Sequence, residues 1–154
     1  MSKKSILIIL FSVLSLVVIQ ISPAADIYVT TTQDNVPGSL RAAITTANTN
    51  GEDNTINLPA GTYMLSGAAS EDANVGGDLD IKTRYKLTIK GAGAPQTVID
   101  GNGIDRVLHI LTGTIAITDL TIRMGKAPNG LRPEWHIVND GGGIYNVGNL
   151  TLTR

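Results

Sequence analysis

From Thr55 onward, apolar residues fall in pairs separated by one residue: Ile56/Leu58, Tyr63/Leu65, Leu79/Ile81, Leu87/Ile89, Leu108/Ile110, Ile115/Ile117, Leu120/Ile122 and Leu150/Leu152. The residues around them are mostly Thr, Asn, Asp or Lys. This period-two pattern gives strands with one buried face. Turn-forming residues punctuate the gaps, as in Pro59-Ala60-Gly61, Gly91-Ala92-Gly93, Asp100-Gly101-Asn102-Gly103 and Gly141-Gly142-Gly143. The strands are therefore short and the corners tight. With hydrophobics at 42% the chain can bury a core, and with aromatics at 4% that core is aliphatic.

A sandwich or barrel would pair neighbouring strands as antiparallel hairpins. A parallel β-helix would stack each strand on the one a full coil earlier. Leu87-Thr88-Ile89, Leu120-Thr121-Ile122 and Leu150-Thr151-Leu152 look like copies of one element, which favours the parallel β-helix. Three strands per coil place coil starts near Thr55, Lys86, Thr114 and Asn149, at spacings of 31, 28 and 35. Spacings this long require some corners to bulge. The longest bulge, Gly125 to Asp140, carries the only Trp, Trp135.

The segments before the coils have different patterns. Lys3 and Lys4 precede an apolar run from Ile6 to Ile21, followed by Ser22-Pro23-Ala24-Ala25. This is the order of a signal peptide, residues 1–24, with cleavage after Ala24 or Ala25 and an uncleaved anchor as the alternative. Residues 25–53 read as an N-terminal cap. Ile27 to Thr31 is a short β-branched strand. Val36-Pro37-Gly38-Ser39 is a turn ending in an N-cap residue. Leu40, Ala43, Ile44 and Ala47 then form one apolar helical face across 39–48. Such a helix suits a lid on the open end of a solenoid, whose exposed interior and strand edges invite aggregation. Residues 54–154 are the coils. Thr151 to Arg154 lie in a strand pattern with no capping element, which predicts an apparent truncation of a longer repeat protein or a short product of that kind. An edge strand defended by Arg154 is the alternative.

Asn35-Val36-Pro37-Gly38-Ser39-Leu40-Arg41-Ala42-Ala43-Ile44 resembles the start of bacterial exported parallel β-helix repeat proteins with a CSLREA-type motif. Thr55 to Tyr63, Gly77-Asp78-Leu79-Asp80-Ile81, Ile89 to Gly93, Val98 to Gly101 and Gly142 to Asn146 resemble later blocks of the same pattern. Gly38 stands where that motif has Cys, and Ala42 or Ala43 where it has Glu. The resemblance implies an all-β, right-handed parallel β-helix of the kind shared with pectate lyases. It also implies a secreted, cell-surface or outer-membrane location, as in polymorphic outer-membrane and adhesin-like proteins.

Cysteine is absent, which excludes disulfides, thiolate metal sites and cysteine nucleophiles. A net charge of −1 with no long basic run argues against a nucleic-acid surface. Asp78 and Asp80 share a strand face opposite Leu79 and Ile81, with Glu71 and Asp72 in the preceding loop. These four acids are calcium candidates; the competing reading is a solvated strand face with turn-capping acids. Asp100 and Asp105 flank Gly101-Asn102-Gly103, with Arg106 next. They are candidates for an acid–base pair or a lyase site on polysaccharide, against a plain Asx corner.

His109 alternates with Leu108 and Ile110, so it reads as an outward-facing surface histidine. His136 sits beside Glu134 and Trp135 in the bulge. Neither histidine has a second His or Cys at metal-ligand spacing. Trp135 either stacks on a sugar ring or packs the bulge against the coil wall. Gly141-Gly142-Gly143 lacks the Lys-Ser/Thr of a phosphate loop and reads as a corner where two coils approach closely. Asn149-Leu150-Thr151 matches a glycosylation sequon, but Thr151 reads as a strand residue. The sequence thus points to a non-enzymatic scaffold or adhesin. Its partners would be further coils and a polysaccharide or cell-surface ligand, with the membrane met only through export or outer-membrane anchoring. A polysaccharide lyase or glycoside hydrolase is the alternative.

Overall fold

The structure is a computed structural model that describes residues 24–127 and 141–154. Residues 1–23 and 128–140, which include Glu134, Trp135 and His136, lie outside the described residues. The described chain forms, in order, β1 (Ala25–Tyr28), α1 (Leu40–Thr49), β2 (Asn54–Asn57), β3 (Gly61–Met64), β4 (Leu79–Ile81) and β5 (Lys86–Lys90). Then follow β6 (Thr97–Asp100), β7 (Leu108–Ile110), β8 (Thr114–Thr118), β9 (Thr121–Arg123), β10 (Ile144–Asn146) and β11 (Asn149–Thr153).

Every strand pairing is parallel. Three walls result: β1-β2-β5-β8-β11, β3-β6-β9 and β4-β7-β10. Each wall stacks strands from successive coils, so the chain is a β-solenoid of about four turns. Lys86 pairs with Thr114 and Thr114 with Asn149, as the repeat predicts. The first coil differs. Thr55 pairs with Thr88 rather than Lys86, so this coil holds two more residues than the sequence repeat indicates. Ala25 to Tyr28 pair with Asn54 to Asn57 as the first rung of the largest wall.

The core lies between the walls and is aliphatic. Ile56 of β2, Leu79 and Ile81 of β4, Ile89 of β5, and Leu108 and Ile110 of β7 are fully buried. Burying one such side chain contributes roughly 1.5–3 kcal/mol. Of the predicted pairs, Leu120/Ile122 and Leu150/Leu152 are the exceptions. They belong to the last rungs, where no described coil lies above them, and Leu152 is 60% exposed. The glycine run behaves as predicted: a Cβ at Gly125 would fall on the carbonyl oxygen of Gly142, so these coils can touch only where side chains are missing.

The helix, predicted over 39–48, spans Leu40–Thr49 and packs on β4 and β2 of the first coil. Ser39 is its N-cap, and the Ser39 hydroxyl accepts from the Ala42 N–H at 3.1 Å. Leu40, Ala43, Ile44 and Ala47 are buried on the first coil, with Ile44 wholly enclosed. The helix runs beside β4, where the wall would otherwise present a bare edge. That edge is closed by side chains. The Asn48 amide donates to the Asp80 carbonyl at 2.8 Å and accepts from the Lys82 N–H at 2.9 Å. Asn74 Oδ1 accepts from the Asp80 N–H, and Arg41 donates to the Asp78 carbonyl. Side-chain amides and a guanidinium here take the place of a neighbouring strand, which protects the edge from pairing with another chain.

Candidate functional site

The outer face of the β4-β7-β10 wall holds the most unusual polar chemistry of the described residues. Parallel register sets Asp80 beside His109 and His109 beside Tyr145, each the middle residue of its strand. Leu79 and Ile81 of β4 and Leu108 and Ile110 of β7 turn inward, and the middle residues turn outward. Residues 65–78, between β3 and β4, fold back over this face. Asp78 and Asp80 are therefore buried rather than solvated, and His109 is buried rather than an ordinary surface histidine.

Several contacts fasten this loop. Ser66 donates both its N–H and its hydroxyl to Asp34. The Ser70 N–H donates to Asp105 Oδ2 at 2.6 Å. The Asn74 N–H donates to Asp80 Oδ2 at 2.9 Å, and the Asn74 amide reaches the Arg41 carbonyl and the Thr45 hydroxyl. Lys82 Nζ donates to the Asp72 carbonyl.

The four predicted calcium ligands have separate roles. Both Glu71 carboxylate oxygens are occupied inside the loop, by the N–H groups of Ala73, Val75 and Gly76. Burial acts to raise the Glu71 pKa, but these donors and the Arg41 charge outweigh it and hold the carboxyl below its ordinary value. Asp78 Oδ1 is buried without a hydrogen-bond partner. Burial, then the negative charges of Asp105 and Asp80, push the Asp78 carboxyl up to about 7. Asp80 is likewise held above the ordinary range, chiefly by burial.

Asp72 and Asp80 do converge, and their meeting point is His109. His109 Nδ1 lies 3.2 Å from Asp80 Oδ1 and 3.3 Å from Asp72 Oδ1. Neither contact has hydrogen-bond geometry, so Asp80 Oδ1 and His109 Nδ1 are both buried and unpartnered. The three potential ligand atoms lie within 4.8 Å of one another. Tyr145 meets the His109 ring edge-on at 5.3 Å between centroids, and the Arg106 guanidinium lies 4.9 Å from the centre of the Tyr145 ring. The imidazole is thus held between a carboxylate and an aromatic wall.

The predicted acid pair is divided between two structural tasks. Asp100 Oδ1 accepts from the Asn102 N–H at 2.9 Å, an Asx corner, while Oδ2 takes Arg123 Nε at 2.7 Å. The Asn102 N–H, and then Arg123 against the effect of burial, hold the Asp100 pKa below its ordinary value. Asp105 caps the Ser70 and Arg106 N–H groups and is 1% exposed. Arg106 goes to Tyr145.

His109 was missed as a site residue because Asp80 and His109 lie one coil apart, which matches no linear ligand spacing. The signal was present in the triplets Leu79-Asp80-Ile81, Leu108-His109-Ile110 and Ile144-Tyr145-Asn146. Aligning them as rungs of one wall puts their middle residues side by side. No protein-family model, curated protein or solved structure matches the chain.

Proposed function

We propose that the chain forms the N-terminal coils of an exported β-solenoid protein, secreted or held at a bacterial cell surface or outer membrane, and works there as a scaffold or adhesin. The observation that carries this reading is the structural use of Asp100 and Asp105. A glycosidase needs two carboxyl groups facing one scissile bond. Here one acid is tied to Arg123 and an Asx corner, and the other caps the loop over 65–78. The repeated walls offer an extended outer surface for a polysaccharide or other cell-surface ligand, and the edge of β11 offers a place for further coils. The CSLREA-like run and the signal-like N-terminus support the location.

The test is turnover. The purified chain is incubated with a panel of uronic-acid and neutral glycans, alongside Asp100→Asn and Asp105→Asn. Binding without bond cleavage is the expected result. Cleavage by the parent that is lost in either variant overturns the scaffold reading in favour of a polysaccharide lyase or glycosidase.

A further inference from the structure

We propose that Asp72, Asp80 and His109 bind one divalent metal ion of the zinc type between the 65–78 loop and the β4-β7 face. The proposal does not depend on the scaffold reading. It rests on what the three side chains do to one another. Asp80 is fully buried and His109 nearly so, yet Asp80 Oδ1 and His109 Nδ1 lack any hydrogen-bond partner. Buried polar atoms in folded proteins are almost always partnered. Asp80 Oδ1 and His109 Nδ1 face each other at 3.2 Å out of hydrogen-bond alignment, and a cation bound between them would satisfy both. Asp72 Oδ1 adds a third such atom at 3.3 Å from the imidazole nitrogen.

These separations carry chemical information. Zinc bonds to imidazole nitrogen and carboxylate oxygen at about 2.0–2.2 Å, so two ligands of a tetrahedral site stand about 3.3 Å apart. That is the spacing from His109 Nδ1 to both carboxylates. Calcium fits poorly, because it takes six to eight oxygens and does not seek an imidazole. The supporting contacts also suit a metal site. Asp80 Oδ2 is fixed by the Asn74 N–H, which leaves Oδ1 to face the imidazole, and Tyr145 holds the ring edge-on. Asp72 comes from the loop while Asp80 and His109 come from the wall, so a bound ion would staple the loop to the solenoid. The position beyond these three ligands would fall to water.

The experiment uses the purified chain stripped with EDTA and titrated with Zn2+ against a chromophoric competitor, with melting temperature followed in parallel. One Zn2+ per chain is expected, with the melting temperature rising by several degrees in excess metal. Asp72→Asn removes an exposed loop ligand and leaves the buried wall intact, so it should fold and bind at least about tenfold to 100-fold more weakly. His109→Ala and Asp80→Asn should lose binding, and Asp100→Asn should keep it. Zn2+ should shift the His109 imidazole resonances of the parent, a readout that does not require a buried variant to fold. The proposal is overturned if the parent binds no Zn2+, or if Asp72→Asn binds as tightly as the parent. It is also overturned if the His109 resonances stay unmoved, or if Ca2+ binds in preference and His109→Ala leaves that binding unchanged.

Discussion

Arg41 and Asp34 form a two-pronged pair beneath the lid helix, with Nε and Nη2 each 2.9 Å from one carboxylate oxygen. Both side chains are nearly inaccessible. The remaining guanidinium donors go to the carbonyls of Gly76, Gly77 and Asp78. One arginine therefore ties the chain before the helix, the helix itself and the end of the 65–78 loop into a single unit. Burial acts to raise the Asp34 pKa, but the Arg41 hydrogen bond and charge, with the N–H groups of Ser66 and Asn35, hold it below 3.8.

Breaking that pair should be costly. Arg41→Ala strands a buried carboxylate and three carbonyls, and the expected loss is about 3–5 kcal/mol at neutral pH. Arg41→Lys should recover little of it, because a single ammonium cannot span the same set of acceptors. The folded-state pKa of Asp34 is depressed, so the pair's contribution is present above about pH 4 and lost as pH falls through the lower folded value. Urea denaturation of the parent and Arg41→Ala at pH 7 and pH 3 should show the difference narrowing in acid. An equal difference at both values would mean that Asp34 is not the partner that matters.

Asn48 tests whether side chains close the edge of β4. Asn48→Leu leaves the Lys82 N–H and the Asp80 carbonyl without their partners, at about 1–3 kcal/mol. Amide exchange at Lys82 should speed up by more than tenfold while the amide of Ile89, in the middle of a wall, changes only by the global loss. Unchanged protection at Lys82 would show that the edge is closed by something other than Asn48.

Local periodicity carried most of this fold. The helix face could be read from Leu40, Ala43, Ile44 and Ala47 because a helix repeats every 3.6 residues whatever covers it. The coil strands could be read because their apolar pairs face one interior. Arg41 was not legible as a buried residue, since it lies next to the apolar stripe and its partners arrive from positions 34 and 76–78. The burial of Asp78, Asp80 and His109 was hidden for the same reason. Strand alternation says only that they leave the core, and the loop that covers them reads as polar and solvated. The Asp100 corner was legible as an Asx turn because its Asn102 contact is local.

Asp78 should make stability depend on pH in the opposite sense to Asp34. Its pKa rises from 3.8 to about 7 on folding. The protonated acid is thus favoured in the fold, and stability falls as pH rises from about 4 through 7. In the presence of EDTA, the parent should lose on the order of 2 kcal/mol between pH 5 and pH 8 relative to Asp78→Asn, whose amide cannot ionise. Asp80 is raised as well, but it is present in both proteins, while Asp34, Glu71 and Asp100 have lowered values and act below this window. Parallel curves for the two proteins would show that Asp78 does not hold a proton in the fold.

The far end of the largest wall should behave as a sticky edge. Among the described residues β11 pairs only with β8, and Leu152 stands 60% exposed beside half-buried Leu150. The Asn149 N–H donates to the Gly113 carbonyl, and the Thr153 carbonyl accepts from the Asp119 N–H, so both point back toward the previous coil. By alternation along the strand, the backbone groups of Leu150 and Leu152 face the open side. A parallel edge whose outward donors no described strand takes, with apolar side chains beside them, is a template for another strand. The isolated chain should self-associate in sedimentation as concentration rises. Leu152→Pro removes an edge donor without breaking a bond to β8 and should shift the chain toward monomer at little cost in stability. Leu152→Lys should do the same by placing charge beside the edge. If the parent stays monomeric across a wide concentration range, or if both variants associate as it does, contact between chains is not made through β11.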